Sequence, residues 1–217
     1  MVSADGAEVR ALAYPALTGA PRVGDQVLLN VGALQRGLGT GGYAFVVAIP
    51  GRLPADPPDT DGPDTGHIVK SRYTPQQVMV QSVEEQGSPH HELLRDAGSV
   101  DGMPVVVADL HSALPAVLAG LFAARPSCRT AYVMQDGGAL PAWFSRTVAG
   151  LRDAGWLAAT VTTGQSFGGD LEAVTVHSGL LAARHVAGAD VRSSRKGRAI
   201  SVPGPGGASP AWPRARR

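Results

Sequence analysis

Cysteine is almost missing from this chain: Cys128 stands alone, so no disulfide can form within it and a cysteine-built zinc site is excluded. Aromatic residues are scarce, at 5%, which leaves few flat side chains on which nucleic-acid bases could stack. No apolar run comes near the roughly 18 residues that a membrane span requires. Met1 is followed by Val-Ser-Ala-Asp-Gly-Ala-Glu and not by a basic patch leading into an apolar stretch, so export is not expected either. The expectation is a cytoplasmic protein that engages neither membrane nor nucleic acid. Charge of one sign is concentrated at the carboxyl terminus. Residues 192–217 contain six arginines and Lys196 with no Asp or Glu. The formal net charge of +1 therefore conceals a body of 12 basic and 18 acidic side chains, followed by a basic tail.

What is present is enough apolar material, 44% of 217 residues, to bury a sizeable core. From Glu8 to Pro50, short β-prone runs (Glu8–Tyr14, Gln26–Val31, Tyr43–Ile49) are separated by the turn strings Pro21-Arg-Val-Gly-Asp25 and Gly37-Leu-Gly-Thr-Gly-Gly42. They predict a small β-rich, barrel-like subdomain over 1–50. Residues 51–66 are rich in proline and aspartate and predict a linker or long loop. Strands are expected at His67–Tyr73 and Gln77–Glu84, then a short helix to Ala97 opened by Ser88-Pro89, since proline tolerates the first helical position. From Met103 the pattern alternates: Pro104–Ala108 then Ser112–Ala124, Thr130–Gln135 then Pro141–Ala154, Leu157–Thr162 then Asp170–Ala187. Three strand–helix units in a row predict an α/β domain over 67–191 with a Rossmann-like parallel sheet. Gly188-Ala-Asp-Val191 reads as the entry to one more strand, which the following residues do not supply.

Several uncommon strings carry a family resemblance. Ala13-Tyr-Pro-Ala-Leu-Thr-Gly19, Gly37-Leu-Gly-Thr-Gly-Gly-Tyr43, Gly87-Ser-Pro-His-His-Glu92, Asp136-Gly-Gly-Ala-Leu-Pro141, Gly168-Gly-Asp-Leu-Glu-Ala173 and Ser178-Gly-Leu-Leu-Ala-Ala-Arg-His185 together resemble the bacterial domain of unknown function 3866 family. The resemblance implies no particular activity or cofactor. It does imply longer relatives that continue past Val191 with a hydrophobic strand and a glycine-rich loop. Read one frame over, from the third base of the Arg192 codon, the genetic code permits Val-Val-Ala-Gln-Gly-Pro-Gly followed by further glycine-rich sequence. The shifted frame thus allows an apolar strand and a turn, and residues 192–217 as they stand are expected to be a frameshifted, disordered tail on a truncated chain. A natural basic tail is the alternative.

In a parallel sheet, ligands bind beyond the carboxyl ends of the strands. The polar strings fall there: Asp109-Leu-His111-Ser112, Asp136-Gly-Gly138, and Thr163-Gly164-Gln-Ser166-Phe-Gly168-Gly169-Asp170. Asp109, His111, Asp136, Ser166 and Asp170 are therefore the candidate catalytic residues, and Gly164, Gly168 and Gly169 the candidates for presenting backbone amides to an anionic group. The same residue types also serve simply to turn strands into helices. Gly164-Gln-Ser-Phe-Gly168 fits the bare G-x-S-x-G pattern of a nucleophile elbow, but the acid and histidine that should follow, Asp170 or Glu172 with His177 or His185, are too close in sequence to close a triad. The spacing matches neither a dinucleotide fingerprint nor a P-loop. His90, His91, Glu92, Asp109, His111, Asp136 and Asp170 include ligand types for zinc or manganese, but no H-E-x-x-H or comparable spacing occurs. Adjacent His90 and His91 would diverge by about 100° on a helix, and their simpler role is to face water at the start of that helix. The sequence thus names no metal, cofactor or oligomeric state. It points to a small-ligand site for an anionic or metal-chelating metabolite, with a non-catalytic regulatory or scaffold module, or a fragment without function, as the alternatives.

Overall fold

The computed structural model describes residues 1–4, 6–54, 66–137 and 139–190; the expected tail, most of the expected linker and Gly138 lie outside the described residues. The chain is mixed α/β, with several small sheets. The amino-terminal part begins with an antiparallel ribbon of β1 (Val2–Ala4) and β2 (Ala7–Val9). A three-stranded sheet follows, built from β3 (Ala11–Leu12), β4 (Leu28–Asn30) and β5 (Ala44–Ala48) in the order β3-β5-β4. Two single-turn helices, α1 (Pro15–Thr18) and α2 (Gly32–Gln35), fill the connections. The β-rich reading of this region therefore holds as a ribbon and an open sheet.

Next comes the hairpin of β6 (Ile68–Lys70) and β7 (Val78–Val80), then helix α3 (His91–Asp96). The helix begins later than Ser88-Pro89 predicts, because Ser88 makes a turn first: its hydroxyl accepts from the His90 N–H at 3.2 Å. From residue 111 onward the elements are α4 (Leu114–Ala124), β8 (Ala131–Met134), α5 (Arg146–Asp153), β9 (Ala159–Thr162), β10 (Leu171–Glu172) and α6 (Val176–His185). Their three strands form a parallel sheet in the order β10-β9-β8.

Alternation of side chains along β8 decides the layering. Tyr132 packs with Leu118, Val148 and Leu157 on the α4/α5 side. Ala131 and Val133 pack with Leu181, Ala182, Ala183 and Leu94 on the α6/α3 side. The sheet is thus buried between two helical layers. The outer edge of β10 is covered, because the Val83 N–H donates to the Glu172 carbonyl at 2.8 Å. β8 is the terminal strand at the other edge among the described residues.

Two expectations are corrected here. Pro104–Ala108 is not a strand: the segment has no strand assignment, and Val105, Val106 and Val107 are exposed. A β-prone run becomes a strand only where another strand offers a ladder, and a cavity separates this one from β8. The unit read as one helix from Asp170 begins instead with β10. The chain turns back over residues 163–170 and lays Leu171 beside Val161 before α6 starts at a Thr175–Ser178 capping box. The short connection works without a helix because β10 contributes only two residues.

The amino-terminal sheet and the segment after β8 meet through aromatic side chains. Tyr14 packs on Phe45 and Trp143, Phe45 on Phe144, and Trp143 edge-on to Phe167, with centroids 5.3–6.3 Å apart. The few aromatics of the sequence are therefore concentrated where the amino-terminal sheet contacts the 3₁₀ turn Ala142–Phe144.

Helix α6 lies close to the sheet because Gly179 has no side chain; a Cβ there would stand 2.6 Å from Thr163 Cγ2 and 3.2 Å from Val133 Cγ1. Gly179→Ala should therefore destabilise the protein by about 1–2 kcal/mol, since overpacking outweighs the roughly 1 kcal/mol that alanine gains in helix propensity. Chemical denaturation measures this, and a stabilised variant would show that α6 does not seat as described.

Candidate functional site

The turns leaving β8 and β9 lock onto one another. The Met134 carbonyl accepts from the Thr163 N–H at 2.9 Å, and the Asp136 carboxylate accepts from the Gln165 N–H at 3.0 Å. Asp136 also explains Gly164: φ is +63°, and a Cβ would fall 2.5 Å from Asp136 Oδ2. Lys70, fully buried, enters from the β6 hairpin. Its ammonium donates to the carbonyls of Thr162 (3.0 Å) and Ser166 (2.7 Å) and to Glu172 Oε2 (2.7 Å). Glu172 in turn accepts from the Gly168 N–H at 2.6 Å and the Thr162 hydroxyl at 2.7 Å. A buried ion is tolerable only when it is paired and hydrogen-bonded, and here every contact tightens the same loop.

Backbone pairing fixes the role of the glycine-rich loop. Gly164 N–H donates to the Val174 carbonyl, Gln165 to Asp136, Ser166 to the Thr163 carbonyl, and Phe167 to the Leu140 carbonyl. Gly168 donates to Glu172, Gly169 to the Thr162 hydroxyl, and Asp170 to the Thr160 carbonyl. Every amide from Gly164 to Asp170 thus has an acceptor within the protein. Ser166 is buried, and its hydroxyl donates to the Leu140 carbonyl at 3.0 Å. Asp170 does not lie at the carboxyl end of β9; it accepts from the Thr160 N–H at 2.8 Å and from Arg152 at 2.7 Å, near that strand's start.

The remaining candidates converge. Asp109 and His111 border a cavity of about 590 Å³ together with Gln135 and Gly137 of the turn after β8. His111 Nε2 lies 2.6 Å from Ser145 Oγ, and its Nδ1 lies 3.0 Å from Tyr132 Oη. Ser145 caps α5, accepting from the Val148 N–H at 3.1 Å. It also lines a separate cleft of about 230 Å³ with Trp143, Arg152, Gly168, Gly169 and Asp170. The imidazole therefore stands behind Ser145 while the serine borders that cleft. Neither Ser145 nor Tyr132 is legible as a partner of His111 in the sequence, where they stand 34 and 21 positions away. The one local signal is that Ser145 precedes a helix, which reads as a cap. Lys70 carries the faint signal of a lone cation in an apolar strand. Among the described residues no three His, Cys, Asp or Glu side chains are grouped to hold a metal, and no helix is long and apolar enough to cross a membrane.

Burial holds the His111 pKa below its ordinary value of 6.5 and pushes the Tyr132 phenol up from 10.0. A histidine with a depressed folded-state pKa contributes stability above the unfolded value, which is lost as pH falls through the folded one. The His111 imidazole should therefore titrate below pH 6.5 by NMR, with stability declining over the same acidic range. A midpoint at or above 6.5 would contradict the buried pairing.

Neither a curated protein nor a solved structure matches the chain. One family model does, over residues 10–210, and so reaches past Val191, where the family pattern was expected to stop. The chain belongs to the family described as protein of unknown function DUF3866.

Proposed function

We propose that the protein binds a small uncharged ester or thioester in the cleft beside Ser145 and that Ser145 and His111 transfer its acyl group. The observation that carries this reading is the 2.6 Å contact between Ser145 Oγ and His111 Nε2, with the imidazole held neutral by burial. A neutral Nε2 can take the serine proton as Oγ bonds to the carbonyl carbon, then return it to the leaving alcohol or thiol; water releases the acyl group by the same route. With Nε2 unprotonated, the proton sits on Nδ1 and faces Tyr132 Oη 3.0 Å away, which orients the ring from the place a carboxylate holds in the familiar triad. The first amides of α5, at Arg146 and Thr147, have no acceptor within the helix and lie next to the serine, where oxyanion donors belong.

This reading departs from the sequence expectation in two respects. It keeps His111 and the cleft-lining Gly168, Gly169 and Asp170 but replaces Ser166 with Ser145 as the nucleophile. It also leaves Asp136 and Gly164 as the clamp between loops and Asp109 as a rim residue. An anionic ligand held by loop amides finds no support, since those amides are already paired.

Hydrolysis of short p-nitrophenyl esters, together with intact-mass detection of a fluorophosphonate adduct, tests the proposal. Single labelling at Ser145 is expected, with turnover reduced about 10²- to 10⁴-fold by His111→Gln. Ser145→Asn, which retains a helix-capping side chain, should lose the label. Labelling that persists in Ser145→Asn, or an absence of both label and turnover in the folded parent, would refute the reading.

A further inference from the structure

Building on the acyl transfer proposed at Ser145, we infer that the cleft selects a short acyl group ending in a carboxamide, and that the Thr160 hydroxyl recognises that end. Ser145, Ala149 and Arg152 share one face of α5 and line the cleft. The space therefore runs along the helix from the serine to the Arg152–Asp170 ion pair. The helical rise between Ser145 and Arg152 is about 10 Å, which a short acyl chain spans. Trp143 forms the wall opposite the helix, and Gly168 lets it close: φ is +86°, and a Cβ there would stand 2.7 Å from Trp143 Cε2. With Val148 and Ala149 on the other side, the middle of the cleft suits methylene groups.

The far end is polar. Val161 packs on the α6 side of the sheet, so alternation along β9 turns the Thr160 side chain toward α5, where it lines the cleft. Thr160 is only 3% exposed, and among the described residues its hydroxyl has no hydrogen-bond partner. Folded proteins carry few such groups, and one on the floor of a cleft is accounted for by a partner that arrives with the ligand. Beside it, the Thr160 N–H donates to Asp170 Oδ2 at 2.8 Å, and Arg152 Nη1 donates to Asp170 Oδ1 at 2.7 Å. With cation and carboxylate already matched, an anionic ligand end would be repelled by Asp170 and a cationic one by Arg152. A carboxamide brings no charge that must be stripped of water. Its oxygen can accept from the Thr160 hydroxyl while its N–H₂ donates to Asp170.

The test compares p-nitrophenyl 4-carbamoylbutanoate with two esters of equal chain length, the apolar isostere 5-methylhexanoate and the charged 4-carboxybutanoate, after subtracting spontaneous hydrolysis. The parent should favour the carbamoyl ester at least about tenfold in kcat/KM over each. Thr160→Val should remove most of that preference through KM. The same variant should melt at or above the parental Tm, because it deletes a buried hydroxyl that has no partner. Thr160→Ser should keep the preference. A merely structural threonine predicts the reverse, a lower Tm for Thr160→Val with the preference intact. Equal kcat/KM for the carbamoyl and 5-methyl esters, or a preference that Thr160→Val leaves unchanged, would overturn the inference while leaving acyl transfer standing. Turnover of no ester would strike acyl transfer instead, and titration with pentanamide then decides for the pocket alone. A saturable shift of the Trp143 indole N–H resonance that Thr160→Val abolishes would support it, and no shift would overturn it.

Discussion

A strand enclosed by helices on both faces has no water to satisfy its backbone, so each of its edges must meet another strand. β9 meets this condition with β8 and β10, and β10 meets it with the segment at Val83. β8 meets it on one side only among the described residues. Most of the irregular features of the carboxyl-terminal half follow from that deficit. Among the described residues, the valines at 105–107 stay exposed, a cavity lies between them and β8, and α4 and α6 present apolar side chains to that cavity.

The opposite end of the sheet shows the same requirement met. Lys70 donates to two loop carbonyls and to Glu172, and Glu172 gathers the Gly168 amide and the Thr162 hydroxyl. A loop containing two adjacent glycines thereby becomes rigid enough to bring β10 into register with β9. The same network shapes the cleft: Gly168, Gly169 and Asp170 form one wall of the space that Ser145 borders, and the 3₁₀ turn at Ala142–Phe144 joins that wall to the aromatic contact with the amino-terminal sheet.

Local patterns made some elements readable and left others hidden. The apolar runs at Thr130–Gln135 and Leu157–Thr162 contain strands because each has a parallel neighbour, and the amphipathic segments ending at Ala124 and Ala154 contain helices, the second starting at Arg146 rather than Pro141 because a 3₁₀ turn and the Ser145 cap precede it. Pro104–Ala108 reads equally well as a strand, yet strand formation depends on a partner, which one segment's pattern cannot report. Leu171–Glu172 was hidden in an apparent helix because two residues are too few to set a period. At the site, Asp, Gly and Ser in three loops were visible, but their types are those of turns as well as of chemistry. Asp136 clamps, Ser166 supports, and His111 alone of the polar candidates pairs with a hydroxyl beside a cleft. Ser145, Tyr132 and Lys70 act through contacts far apart in the chain, so no spacing rule could join them.

Among the described residues, β8 is paired with another strand along one edge only. Amide hydrogen exchange resolved by residue addresses it most directly. With one edge paired and the other open, the Ala131 and Val133 amides should exchange markedly faster than those of Tyr132 and Met134, which point toward β9. Uniform strong protection along all four residues would mean that the edge is already filled, and the account would fail.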